Sequence, residues 1–186
     1  PLAPSMDALT SNGDVVVPID VEAMGYWLKA AFGPPTSTGT GKKVHSFNSG
    51  GWDLPSMAIE IATPEVPRYA MYTGCKLDKL SWTMQHSGHL TATASLIAQG
   101  EAVAGASAAG TVAPIKVQRF GQLNGSVKRS GAALGNVVSA EITYANNLDP
   151  VETIRADGRI DGADAGMASL TGRMDVRFAD DVLVQQ

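Results

Sequence analysis

The chain has 186 residues, is 44% hydrophobic and 17% charged, and carries 20 glycines and a formal net charge of −4. It is long enough to bury one hydrophobic core, too apolar for intrinsic disorder and too lightly charged for a coiled coil, so a turn-rich β protein of one domain, residues 1–186, is expected. No cluster of Lys and Arg marks a nucleic-acid grip, and no run approaches the roughly 18 apolar residues of a membrane-spanning helix. The start, Pro1-Leu-Ala-Pro-Ser5, has neither the charged nor the apolar region of a signal peptide, so a soluble chain is expected. Lacking an initiator Met, it reads as a processed chain or an internal piece of a longer one. The lone Cys75 has no disulfide partner within the chain and reads as a buried thiol in a reducing compartment.

In chain order, Asp14-Val-Val-Val-Pro-Ile19 is β-branched and short, a strand with Pro18 at its end or on an edge. Helical spacing follows at Val21, Met24, Leu28, Ala31 and Phe32, with Asp20 as the expected N-cap and Gly33-Pro34-Pro35 as the stop. Thr36 to Gly41 is small, polar and glycine-interrupted, an exposed loop in a connection spanning residues 34–51, with a short strand near Val44–Phe47. Met57, Ile59 and Ile61 then alternate with Ala58, Glu60 and Ala62 until Pro64 and Pro67 end the strand. The clearest alternation is Leu80, Trp82, Met84 followed by Leu90, Ala92, Ala94, Leu96, Ala98, which with Ser87-Gly88 between predicts a hairpin.

Gly100 to Pro114 is rich in Ala, Gly and Ser and reads as a second long connection, with residues 102–113 its loop. Three further alternations predict strands: Leu123, Gly125 and Val127; then Val138, Ala140, Ile142 and Tyr144; then Leu170, Met174, Val176 and Phe178. Between the last two, 146–166 is acidic, glycine-dotted and irregular. Together these give a mainly β fold with one α-helix on its flank: two packed antiparallel sheets, as a β-sandwich or a partly closed barrel of seven to ten strands.

Catalytic and metal chemistry find little support. His86 and His89 flank the hairpin turn, but no third or fourth ligand lies close in sequence, and solvent-exposed turn histidines are the expected reading. Asp157, Asp161 and Asp164 are spaced four and three apart with no closing Glu, unlike a calcium loop. Solvated loop carboxylates are expected instead. The glycine pairs lack the Gly-Lys-Ser/Thr signature of a phosphate loop, and no serine sits in a nucleophile elbow. No cofactor, metal or catalytic residue is therefore assigned, and the chain is not expected to be an enzyme. Trp27 and Trp82 are candidate core anchors, and Trp52 an interface or core residue.

The order of elements resembles that of siphophage- or prophage-type tail tube proteins, the major tail subunits. The likeness rests on Asn12-Gly-Asp-Val-Val-Val-Pro-Ile19, Tyr26-Trp-Leu28 ending at Phe32-Gly33, and Leu54-Pro-Ser-Met57 leading to Pro64-Glu-Val-Pro67. It continues through Met84-Gln-His-Ser-Gly88, Leu96-Ile-Ala-Gln-Gly-Glu101, Leu134-Gly-Asn-Val-Val-Ser139 and Asn146-Asn-Leu-Asp149. It ends with Val151-Glu-Thr-Ile-Arg-Ala-Asp-Gly-Arg-Ile-Asp161 and Arg177-Phe-Ala-Asp180. The resemblance implies a homo-oligomer of hexameric rings stacked into a hollow tube with other phage tail proteins. It implies assembly in the bacterial host cytoplasm, residence in the virion tail, genomic DNA passing through the lumen without tight binding, and no membrane. On this reading Asp149, Asp157, Asp161 and Asp164 are candidates for the lumen or a ring contact, and the two long connections for contacts between subunits or rings. A carbohydrate-binding or adhesin-like β-sandwich, with Trp52 and Trp82 stacking on a sugar, is the alternative.

Overall fold

The computed structural model describes residues 7–114, 116–122 and 125–177. One 17-residue strand, β5 (Arg68–Met84), organises it, because its two halves belong to different pairings. The first half lies between β4 (Met57–Thr63) and β7 (Gly100–Ala104); the second lies between β6 (Thr91–Ala98) and β10 (Val137–Ala145). The change of partners falls at Gly74, whose φ of 65° suits glycine, and at a bulge between Leu77 and Lys79. Outside these, β1 (Ser11–Pro18) pairs with β6 and β13 (Ser169–Val176) pairs with β10, giving the order β1-β6-β5-β10-β13. Among the described residues every pairing is antiparallel, and no sheet closes into a barrel.

The core lies on one face of this sheet. Val17, Ala92, Ala94, Leu77, Leu80 and Tyr144 point to that face, as period-two alternation requires, and α1 (Met24–Phe32) covers them with Ala30 and Ala31. Ala30 and Ala31 of the helix share one buried cluster with Ala92 and Ala94 of the sheet, and the helix approaches β5, whose Leu77 and Leu80 fill the core beneath it. Burying each of those leucines contributes about 1.5–3 kcal/mol. The rings of Phe32 and Tyr144 meet at 4.4 Å and a 38° tilt, fixing the helix end over β10.

Several elements differ from the sequence reading. The helix begins at Met24 after Ala23, not after Asp20. Buried Asp20 instead accepts the N–H groups of Glu22 and Ala23 at 2.7 Å each through Oδ1, shaping the turn that leads into the helix. Thr36–Thr38 is an exposed strand (β2) paired with β3 (Val44–Ser46), because a ladder needs only backbone and the local alternation of Thr and Ser suffices. Gly100–Ala104 is β7 rather than loop, its pairing drawn from a partner about 30 residues away that local composition does not reveal. The expected strand at 123–128 reduces to β8 (Lys128–Arg129) and β9 (Ala132–Ala133), a small hairpin around Ser130 and Gly131, both with positive φ. Leu123 and Asn124 of that expectation, like Phe178 and Asp180, lie outside the described residues. Within the acidic segment β11 (Asp149–Val151) pairs with β12 (Gly162–Asp164).

Candidate assembly surface

The sheet face turned away from the helix is rich in hydroxyls, with exposed Val16 and a few charges among them. Thr93 stands opposite Val16 on one side and Ser81 on the other, and Thr143 stands opposite Ser81 and Thr171, so one row crosses all five strands. Ser95 lies between Asp14 and Lys79 in a neighbouring row, and Glu141 between Thr83 and Arg173 in another. Charges on this face are scattered and of both signs. The alternation that buries Leu80 and Ala94 is what turns these residues outward.

Among the described residues neither edge strand of the sheet, β1 or β13, has a second partner. Along β13 every residue from Ser169 to Asp175 is exposed, including Leu170 at 69% and Met174 at 39%. Asp175 accepts from Ser139 Oγ at 2.9 Å and pairs with Arg173 at 3.3 Å, and these two neighbours hold its carboxyl below the usual range. Exposed edges with apolar side chains are a liability for a protein that stays alone.

The acidic segment folds as a clasp. Arg155 grips Asp157 through two N–H donors at 3.0 Å and reaches Asp161 at 2.9 Å. That guanidinium, helped by the Arg159 backbone N–H at 3.2 Å, lowers the Asp157 carboxyl to about 2 and raises Arg155 in turn. The clasp is tied to the sheet by Lys76 Nζ donating to the Ala163 carbonyl at 2.7 Å and Gln99 Nε2 donating to the Asp161 carbonyl at 2.6 Å. Asp149 and Asp164, by contrast, face each other directly across the β11–β12 ladder, both exposed and without an ion pair among the described residues.

Trp27 and Trp82 are half-buried and pack on the core, whereas Trp52 is 77% exposed. His86 and His89 are both exposed, and among the described residues no group of three or more His, Cys, Asp or Glu could hold a metal ion. Cys75 is buried, and burial pushes its thiol up from the usual value. Sequence reasoning passed over Arg155, Arg159 and buried Asn146; the Arg-x-Asp spacing at 155–157 is the one signal that could have found the clasp.

A mainly β chain whose described residues show an open-edged sheet, a polar face and no cluster of metal-binding side chains is the frame in which the likeness to known proteins falls. A protein-family model described as phage tail tube protein matches residues 1–186. The chain belongs to the phage tail tube protein family. No curated protein matches it. Membership makes this tail tube protein a structural component of the virion tail that assembles with other tail subunits. Among the described residues no helix is long and apolar enough to cross a membrane.

Proposed function

We propose that this tail tube protein forms hexameric rings, joined edge to edge through β1 and β13, that stack into a tube with the hydroxyl face lining a lumen for DNA. The observation that carries the reading is the five-stranded sheet whose edges, among the described residues, are both unpaired, with its core confined to the helix side. Joining edges would satisfy the free backbone groups of β1 and β13 and cover Leu170 and Met174, turning a liability into a joint. The Ser and Thr rows favour the lumen role. They hold water through hydroxyls and offer DNA no ladder of cations, so few phosphate contacts would form to retard a moving polyanion. The connection at 34–51, with its β2–β3 hairpin, and the connection that follows β7, 105–113, would contact neighbouring subunits or rings, and assembly would occur in the host cytoplasm.

Negative-stain microscopy of the purified full-length protein tests this: rings or tubes of one diameter are expected, with sixfold end views. A chain that stays monomeric at high concentration and binds glycans would overturn it. That alternative loses ground on the structure, since Trp82 gives much of its ring to the core and leaves Trp52 without it as a sugar platform.

A further inference from the structure

Charge is segregated along the strands of the main sheet. Residues 102–140 contain Lys116, Arg119, Lys128 and Arg129 and no Asp or Glu, whereas 146–166 contains five carboxylates against two arginines. The fold sends these segments to opposite ends of the sheet. Backbone bonds from Val21 to Gln118, from Leu90 to Phe120 and from Gln122 to Gly88 hold the basic segment where β1 ends and β6 begins. β8 and β9 follow it just before β10 enters the sheet at that same end. The acidic segment sits at the other end, where β6 runs out, tied there by Lys76, Gln99 and the Asp78 carboxylate, which accepts the Leu148 N–H at 2.8 Å.

Two details make the ends complementary. At the acidic end, Asp149 and Asp164 are direct cross-strand neighbours, a like-charge pair that weakens its own ladder and forms no ion pair among the described residues, the nearby Lys76 ammonium being held by the Ala163 carbonyl. Ile154 and Met167, both strongly exposed, lie in the segment or just beyond it. At the basic end, the β8–β9 hairpin, stiffened by its two left-handed turn residues, presents exposed Lys128, with no ion pair among the described residues and with exposed Val138 nearby in sequence on β10. If edges join laterally in a ring, strand ends necessarily form its two rims.

We propose that the tube grows head to tail by seating the Lys128 hairpin of one copy against the Asp149–Asp164 pair of a copy in the next ring. This rests on the edge-to-edge ring proposed above. The partner is a second copy of this chain because the segment at one end carries four cations and no carboxylate while the segment at the other carries five carboxylates against two arginines, and a repeated contact of that kind stacks without limit. The cross-strand acid pair is strained in the free subunit and relieved by the incoming ammonium.

The test is a charge swap in the full-length protein, read by sedimentation and microscopy. Lys128→Glu should raise the concentration needed for tube growth at least about tenfold while rings persist, and so should Asp149→Lys with Asp164→Lys. A neutral variant, Asp149→Asn with Asp164→Asn, should meanwhile unfold later than the native protein, since a repulsion has been removed, a split that a structural role would not produce. Combining all three charge swaps in one chain should restore tubes, and raising salt from about 0.05 M to about 1 M should disperse native tubes into rings. Native tubes that resist salt together with unimpaired Lys128→Glu tubes would overturn the stacking contact and leave the ring intact. A native protein that forms neither rings nor tubes would overturn the ring and this contact together.

Discussion

Asn146 ties three elements together, and its replacement has a calculable effect. The residue is 3% exposed, and its Nδ2 donates to the carbonyls of Ala31 at 3.0 Å and Leu77 at 2.9 Å. Neither acceptor has an obvious substitute donor. The helical partner of the Ala31 carbonyl would be the N–H four residues on, but that position is Pro35, which has none. Leu77 lies at the β5 bulge, where the ladder is interrupted. Both residues are fully buried. Asn146→Ala therefore leaves two buried acceptors short of a donor at about 1–3 kcal/mol each, so a loss of roughly 2–5 kcal/mol is expected. Urea unfolding of the unassembled protein measures it, as a lower midpoint with unchanged slope. Asn146→Asp should lose at least as much at neutral pH, because it sets a carboxylate beside two carbonyl oxygens. That variant should recover stability as pH falls, since burial near acceptors raises a folded carboxyl above its unfolded value and protonation restores one donor. A loss below about 1 kcal/mol for Asn146→Ala would show that the helix end does not depend on this amide.

Leu77→Ala removes a fully buried side chain under the helix and should destabilise by about 2–5 kcal/mol in the same assay. Asp157 should titrate near 2 by carbon-detected NMR, its stabilising contribution complete above the ordinary carboxyl range and lost as pH falls through about 2, and Arg155→Ala should return it toward the ordinary value. A Cβ at Gly166 would run into the Asn147 carbonyl, whose backbone sits at φ 49° and whose side chain is tied to Met167 and Ser169. Gly166→Ala should thus lower the melting temperature, whereas Gly105→Ala, with open space around it, should not.

The sheet was legible where burial was one-sided. Leu80, Trp82 and Met84 against Ala92, Ala94 and Leu96 alternate because one face meets the helix and the other does not, and that asymmetry is written in residue type. The first half of β5 was not legible: Tyr69, Ala70, Met71 and Tyr72 form a near-continuous apolar run, and period two vanishes where neither face is purely polar. β7 was hidden for a different reason, its Ala and Gly carrying no β signal of their own and its pairing coming wholly from β5. The acidic segment was recognised as charged, but composition cannot distinguish the clasped Asp157 and Asp161 from the unpaired Asp149 and Asp164, because Arg155 lies in the same stretch as all four.

The strand count constrains how copies could meet. Five strands, each antiparallel to the next, leave β1 and β13 running in the same direction on opposite edges. Rotation of one copy into the next about a ring axis preserves strand direction, so a seam between β13 and the neighbour's β1 would be parallel. Cysteines at Thr171 and Val16, which lie on the hydroxyl face at mid-strand of the two edges, should then cross-link between copies in assembled rings. A two-fold dimer would instead bring β13 to β13 and couple Thr171 variants to each other, and that product would sink the ring seam. A parallel seam is somewhat weaker per residue than the antiparallel ladders within the subunit. A ring so joined would gain from ties across its rims, and the hairpin at Lys128 and the acid pair at Asp149 and Asp164, at opposite ends of the sheet, would stand at opposite rims.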